Sequence, residues 1–172
     1  MKLNVIEVTP TSKIQHDEKW YTTGTISIFL AGTIDMGNSE DWQRQFIEWL
    51  RNFEFDENVW NIKQIIVYNP RRIEGFGPNE KLDYQINWEL DKITEANYVI
   101  MNFLPNSKSP VTMLEFGLLV GCDSQRLHVI CPEDFYRYDN IRITYNRFGN
   151  YDILRKHMYK SMDEFKKYFF GI

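Results

Sequence analysis

Two hydrophobic periods alternate along the chain. Short, nearly continuous apolar runs that stop at Gly, Pro or Asn read as strands, and longer stretches with apolar residues every three or four positions read as helices. LNVIEVT (3–9) suits a first strand at a sheet edge, and TISIFLAG (25–32) a buried strand halted by glycine. SEDWQRQFIEWLRNF (39–53) places Trp42, Phe46, Trp49, Leu50 and Phe53 on one helical face, with Ser39 as its cap and Glu40 and Asp41 at the positive end of the dipole. NIKQIIVYNP (61–70) is another strand ending in Asn-Pro, followed by a glycine- and proline-containing loop (71–81). LDYQINWELDKITEA (82–96) is helical, with Leu82, Ile86, Leu90 and Ile93 along one face. NYVIMNFL (97–104) is a strand, PNSKSP (105–110) a turn, and Ser109-Pro110 a cap and first turn for a helix over 110–121. LHVICP (127–132) and IRITYN (141–146) are expected as later strands, and KSMDEFKKYFFG (160–171) as a closing helix.

Strand–helix alternation implies parallel pairing through right-handed crossovers, hence a three-layer α/β sandwich with a mainly parallel central sheet. With 172 residues and no linker, repeat or low-complexity tract, one domain over 1–172 is expected. Ligands of such sheets collect beyond the carboxyl ends of the strands. AGTIDMGN (31–38), NPRRIEGFGPN (69–79) and LPNSKSP (104–110) end there, so these three segments are expected to build a site.

Composition narrows the partners. Hydrophobic residues at 43% and aromatics at 16% exclude a disordered chain, and a net charge of −4 supplies no general pull toward nucleic acid or an anionic membrane. The two cysteines, Cys122 and Cys131, form no CxxC and have no His/Cys set for a structural zinc. His16, His128 and His157 show no metal spacing and read as surface or strand-packing residues, so no metal or other cofactor is expected. MKLNVIEVTPTSK lacks an apolar stretch of signal-peptide length and no run approaches a membrane span, so a reduced, cytoplasmic protein is expected.

One acid stands out. In SPVTMLEFGLLVG (109–121), Glu115 sits among apolar residues with no Arg or Lys for several positions on either side. On a helix its neighbours three and four positions away are Val111, Thr112, Leu118 and Leu119. A carboxylate wedged among them loses hydration and its pKa rises, and burying it unpaired costs several kcal/mol. It is either a functional acid or a glutamate at the solvent edge of a mostly buried helix.

IFLAGTIDMGNSEDWQ (28–43), VYNPRR (67–72), QINWELDKITEANYVIMNF (85–103) and SPVTMLEFGLLVG (109–121), in this order, resemble the nucleoside 2-deoxyribosyltransferase-like superfamily, in its branch with N-P-R-R and W-E-L motifs. The resemblance spans about residues 25–146 and implies a flavodoxin-like sandwich, in agreement with the patterning. It implies an enzyme acting at the N-glycosidic bond of a nucleoside or nucleotide, in a homo-oligomer whose sites a neighbouring subunit completes. By resemblance Glu115 matches the catalytic nucleophile, and Glu89 falls where an aspartate usually handles the leaving base or sugar. Asn140 falls where transferases often present an asparagine across the interface, with Tyr138 beside it either a partner contribution or a surface aromatic. Ser109 replaces the aspartate common six residues before the nucleophile, and related hydrolases of deoxynucleoside monophosphates carry a serine there as a phosphate contact.

The chemistry is compatible with these residues. N-glycosidic cleavage passes through an oxocarbenium-like transition state that a carboxylate below C1′ stabilises and can trap as a glycosyl-enzyme. An acid near the base, here Glu89 or a water it orients, adds about 10²–10⁴-fold. Attack on the intermediate by a free nucleobase gives transfer, and attack by water gives hydrolysis. Gly32 lets backbone approach a ligand, and Thr33 and Asp35 either contact the sugar or base or make an ordinary turn. Arg71 and Arg72 either bind a phosphate or anchor their loop by ion pairs. Trp88 is a core residue or a stacking platform. GFGP (75–78) is no dinucleotide fingerprint and suits a flap over the site. The expected function is nucleoside 2-deoxyribosyltransferase. The alternatives are a nucleoside 5′-monophosphate N-glycosidase and a non-catalytic nucleotide-binding protein.

Overall fold

The computed structural model describes residues 1–17, 20, 22–35, 39–72, 82–122, 124–149 and 158–172. The expected flap at 75–78 and His157 lie outside the described residues. Six strands run in chain order: β1 (Asn4–Val8), β2 (Thr25–Gly32), β3 (Gln64–Tyr68), β4 (Tyr98–Asn102), β5 (Leu127–Ile130) and β6 (Met158–Tyr159). Five α-helices accompany them: α1 (Trp42–Asn52), α2 (Leu82–Glu95), α3 (Pro110–Cys122), α4 (Tyr138–Phe148) and α5 (Met162–Phe170). The strands form one parallel sheet in the order β1-β3-β2-β4-β5-β6. With the edge strand β1 set aside, this is the 2-1-3-4-5 order of a flavodoxin-like α/β sandwich. The chain divides into two compact units, residues 1–30 with 36–97 and residues 31–35 with 98–172.

In the first unit β3 pairs in parallel with both β1 and β2, so Tyr68 stands level with Val8 on one side and Phe29 on the other. Ile65, Ile66, Val67 and Tyr68 are all buried, which is why the run is continuously apolar. α1 turns Trp42, Phe46, Ile47 and Leu50 inward, and ring contacts run from Phe46 through Trp49 and Phe53 to Phe55 and Trp60. Burial of each such side chain contributes about 1.5–3 kcal/mol. The expected cap is corrected. Asp41, not Ser39, accepts the Arg44 amide at 3.1 Å, because the helix starts at Trp42 and Ser39 lies too far upstream.

α2 departs further from the pattern. Leu82, Ile86 and Leu90 are exposed, and the buried face carries Gln85, Trp88, Lys92 and Ile93. Polar groups tolerate burial when each finds a partner. Trp88 donates Nε1–H to Gln15 Oε1 at 2.8 Å, and Lys92 Nζ bonds Glu95 at 2.7 Å and lies 5.1 Å from the centre of the Tyr68 ring.

In the second unit β5 pairs in parallel with β4 and β6, and Leu127–Ile130 is buried throughout. His128 is a strand-packing residue, its Nδ1 3.1 Å from Tyr159 Oη and its ring against Tyr98, Phe165 and Phe169. β6 is only two residues long, too short for any sequence periodicity to announce. The strand expected over 141–146 is instead the middle of α4. The I-R-I-T alternation is misleading there, since Ile141 is buried while Ile143 is 54% exposed, and Asp139 pairs with Arg142 one turn on.

Candidate active site

The second unit contains the carboxyl ends of β2 and β4, between which the strand order reverses. Gly32 closes β2 at φ +136°, a conformation that L side chains rarely adopt. A Cβ there would lie 2.8 Å from the Asn102 amide nitrogen and closer still to its carbonyl oxygen. The close approach expected of Gly32 is thus to the backbone of β4. Directly after it, the Thr33 amide bonds the Asn102 carbonyl at 3.0 Å.

A chain of side-chain hydrogen bonds then joins residues 33–35 to the loop 104–109. The Leu104 amide donates to Thr33 Oγ1 at 3.1 Å, and Thr33 Oγ1 lies 2.5 Å from Ser109 Oγ. Ser109 Oγ lies 2.8 Å from Ser107 Oγ, whose hydroxyl donates to Asp35 Oδ1 at 2.8 Å. The Ser109 amide also donates to Ser107 Oγ at 3.0 Å. Thr33, Ser107 and Ser109 are buried, whereas Asp35 is exposed. Asp35 and Ser109 hold φ of +46° and +45°, unusual for non-glycine residues and a sign of a conformation imposed by its surroundings.

Ser109 leads into α3, and its carbonyl accepts the Met113 amide at 3.0 Å as Pro110 opens the first turn. Its hydroxyl faces Thr33 and Ser107. Glu115 follows in the second turn and is half-buried. Thr112, Phe116 and Leu119 are on the buried side of this helix, while Val111, Leu114 and Leu118 are exposed. Glu115 therefore stands where the apolar core face meets solvent, a position from which a carboxylate can reach a ligand while part of its hydration is lost. Asn140 is exposed in the first turn of α4, and Tyr138 is half-buried at its start.

The first unit carries the other candidates. Arg71 is an anchor, which is one of the two roles its position allowed. Its Nη2 donates to the Ser39 carbonyl at 2.7 Å and its Nη1 to the Glu40 carbonyl at 3.0 Å, and Asp41 lies 3.7 Å from its Nε. Arg72 donates Nε–H to Gln85 Oε1 at 2.9 Å. Gln85 in turn donates Nε2–H to the Pro70 carbonyl at 3.0 Å and to Glu89 Oε1 at 2.5 Å. Burial pushes the Glu89 carboxyl above its ordinary pKa, opposed by the Gln85 hydrogen bond and the Arg72 charge. Trp88 lies in the core against Phe29 and Tyr68, with its indole N–H engaged.

Sequence reasoning missed Ser107, Gln85 and Gln43. Ser107 was signalled by the S-K-S-P turn, where two hydroxyls alternate before a proline, and Gln85 by an amide on the inward face of α2. Gln43 is fully buried on α1, with Oε1 3.5 Å from Arg71 Nη1 and Nε2 without a partner. Among the described residues no group of three or more His, Cys, Asp and Glu side chains could hold a metal ion.

No curated protein matches the chain. A family model described as "Nucleoside 2-deoxyribosyltransferase like" matches residues 25–135, a span that includes every candidate above except Tyr138 and Asn140. The chain belongs to that family.

Proposed function

We propose that this member of the nucleoside 2-deoxyribosyltransferase-like family breaks the N-glycosidic bond of a (deoxy)nucleoside, most simply as a nucleoside 2-deoxyribosyltransferase, with Glu115 as nucleophile. The observation that supports this best is the placement of Glu115. It is half-buried in the second turn of a helix that starts from the loop after β4, inside the matched segment.

The Glu115 carboxylate attacks C1′ as the bond to the base breaks, and the bonding pair leaves with the base. A proton delivered to the base makes it a better leaving group. Glu89, whose burial favours the neutral acid, has the chemistry for that donation. The glycosyl ester of Glu115 is then opened by a second nucleobase, giving a new nucleoside, or by water, giving the free sugar. No cofactor takes part. The enzyme acts as a homo-oligomer, with Asn140 reaching the sugar bound by a neighbouring copy, a role its exposure permits.

Incubation with a deoxynucleoside and a different free base, followed by chromatography, tests the reading. A new nucleoside indicates transfer, and free base with sugar indicates hydrolysis. Saturable binding without turnover would leave only a nucleotide-binding protein. Glu115→Gln and Glu115→Ala are expected to lower turnover by at least about 10³-fold without loss of fold. Wild-type rates in either variant would remove Glu115 from the mechanism.

A further inference from the structure

The loop after β1 meets α2 through hydrogen bonds that the mechanism above does not use. Trp88 is 6% exposed, and a buried indole N–H needs an acceptor. Gln15 Oε1 supplies it at 2.8 Å. Gln15 Nε2 faces the carbonyls of Ser12 at 2.7 Å, Thr9 at 2.9 Å and Pro10 at 3.4 Å. Reversing this carboxamide would set N–H against N–H at Trp88 and oxygen against three carbonyls, so its oxygen is locked toward the indole. The Tyr84 hydroxyl donates to the Pro10 carbonyl at 3.2 Å. Tyr84 and Trp88, one turn apart on α2, form a row beside Gln85 and Glu89, which are also one turn apart. The loop therefore grips the row next to the acid. β1 fixes the turn that faces it. The Asn69 amide donates to the Val8 carbonyl at 2.9 Å, Asn69 Nδ2 donates to Glu7 Oε1 at 2.8 Å, and Asn69 Oδ1 accepts the Arg71 amide at 3.0 Å. That turn carries the Pro70 carbonyl and the Arg72 guanidinium, both of which bond Gln85.

We infer that Gln15 is a positioning residue for the Glu89 carboxyl, acting through Trp88, and that residues 7–15 form a brace that holds this acid for the leaving base. The inference rests on the N-glycosidic reading above, in which Glu89 donates a proton. The brace lies outside the segment 25–135 that the family model matches. It works by keeping water away. An indole N–H deprived of its acceptor costs free energy unless water reaches it. Water admitted at Trp88 stands one residue from Glu89 and restores hydration to a carboxyl whose burial favours the neutral acid. Removing the Gln15 acceptor therefore makes Glu89 ionise at lower pH. Among the described charges around this carboxyl, Arg72 acts on it from the loop after β3. Lys92, farther along α2, is turned to Glu95 and the Tyr68 ring, and Glu7 is engaged by Asn69 and Arg51. None of these contacts involves Gln15.

The test takes two readouts across pH in the wild type and Gln15→Ala. One is kcat and KM for a deoxynucleoside with a free base. The other is the carboxyl titration of Glu89 by carbon NMR, its signal assigned with Glu89→Gln. Gln15→Ala should move the alkaline fall of kcat and the Glu89 titration to lower pH together, with KM little changed. The expected shift is about one pH unit, the equivalent of one hydrogen bond of ordinary strength. Gln15→Met, which keeps the side-chain length and removes the oxygen, should give the same shift where alanine loosens the loop. In a Trp88→Phe background there is no N–H to satisfy, and Gln15→Ala should move neither readout. A merely structural role would lower the urea midpoint and leave both pH readouts in place, or shift them equally in the two backgrounds. Either result overturns the inference while N-glycosidic chemistry stands. A shifted titration without turnover supports the brace and sinks the catalytic reading. An unmoved titration without turnover sinks both.

Discussion

Gly32→Ala perturbs a single methyl group at the point where β2 hands over to the candidate site. Its cost can be worked from three contributions. Holding an alanine at φ +136° costs about 1–3 kcal/mol. The new Cβ would press on the carbonyl oxygen, amide nitrogen and carbonyl carbon of Asn102, the last two at 2.8 and 3.0 Å. All three are backbone atoms of a buried strand and cannot rotate away, so relief requires the backbone to part, at about 1–3 kcal/mol by analogy with overpacked cores. Parting them weakens the 3.0 Å bond from the Thr33 amide to the Asn102 carbonyl, worth about 1 kcal/mol. The total is about 3–7 kcal/mol, and at about 2–4 °C per kcal/mol for a chain of this length the expected fall in Tm is about 6–28 °C. Urea denaturation followed by circular dichroism measures the free energy directly, and a thermal scan gives the second reading. A loss below about 1 kcal/mol would refute the account, because it would mean that β2 and the backbone of Asn102 are not in the contact described. Turnover should fall with stability, since Thr33 and Asp35 follow immediately.

Three other predictions address separate elements. Because burial raises the Glu89 pKa above 4.5, the folded protein keeps that proton where the unfolded chain has lost it. Its contribution to stability is full below the unfolded pKa and is lost as pH rises through the folded value. Glu89→Gln should therefore gain on the wild type as pH rises through this window, measured by urea midpoints from pH 4 to pH 8, and the alkaline fall of kcat should vanish with the carboxyl. Arg71→Ala should destabilise the protein by about 2–3 kcal/mol through the charged hydrogen bonds to the Ser39 and Glu40 carbonyls, and Arg71→Lys should recover only part, since an ammonium lacks the planar fork. A thiol reagent should label Cys122 rapidly and spare Cys131 until unfolding, because Cys122 is exposed whereas burial pushes the Cys131 thiol up to about 12; two fast thiols in the native protein would contradict this packing.

Element type was readable wherever one physical cause dominated. β2 coincides with TISIFLAG and α3 starts at the proline that announced it. It was unreadable where partners offset polarity. The inward face of α2 holds Gln85 and Lys92, and no rule of apolar spacing anticipates that Pro70, Glu89 and Glu95 will satisfy them. In α4, four residues of alternating character outweighed a helix whose one fully buried position is Ile141.

By itself the chain order of apolar runs determined the α/β class, the edge position of β1 and the apolar sequence context of Glu115, because burial of β-branched and aromatic side chains is the largest favourable contribution and leaves its period in the sequence. Only the tertiary structure decided which hydroxyls meet. Residues 33–35 and 107–109 are more than seventy positions apart, and only folding brings Asp35 Oδ1 within 2.8 Å of the Ser107 hydroxyl that donates to it.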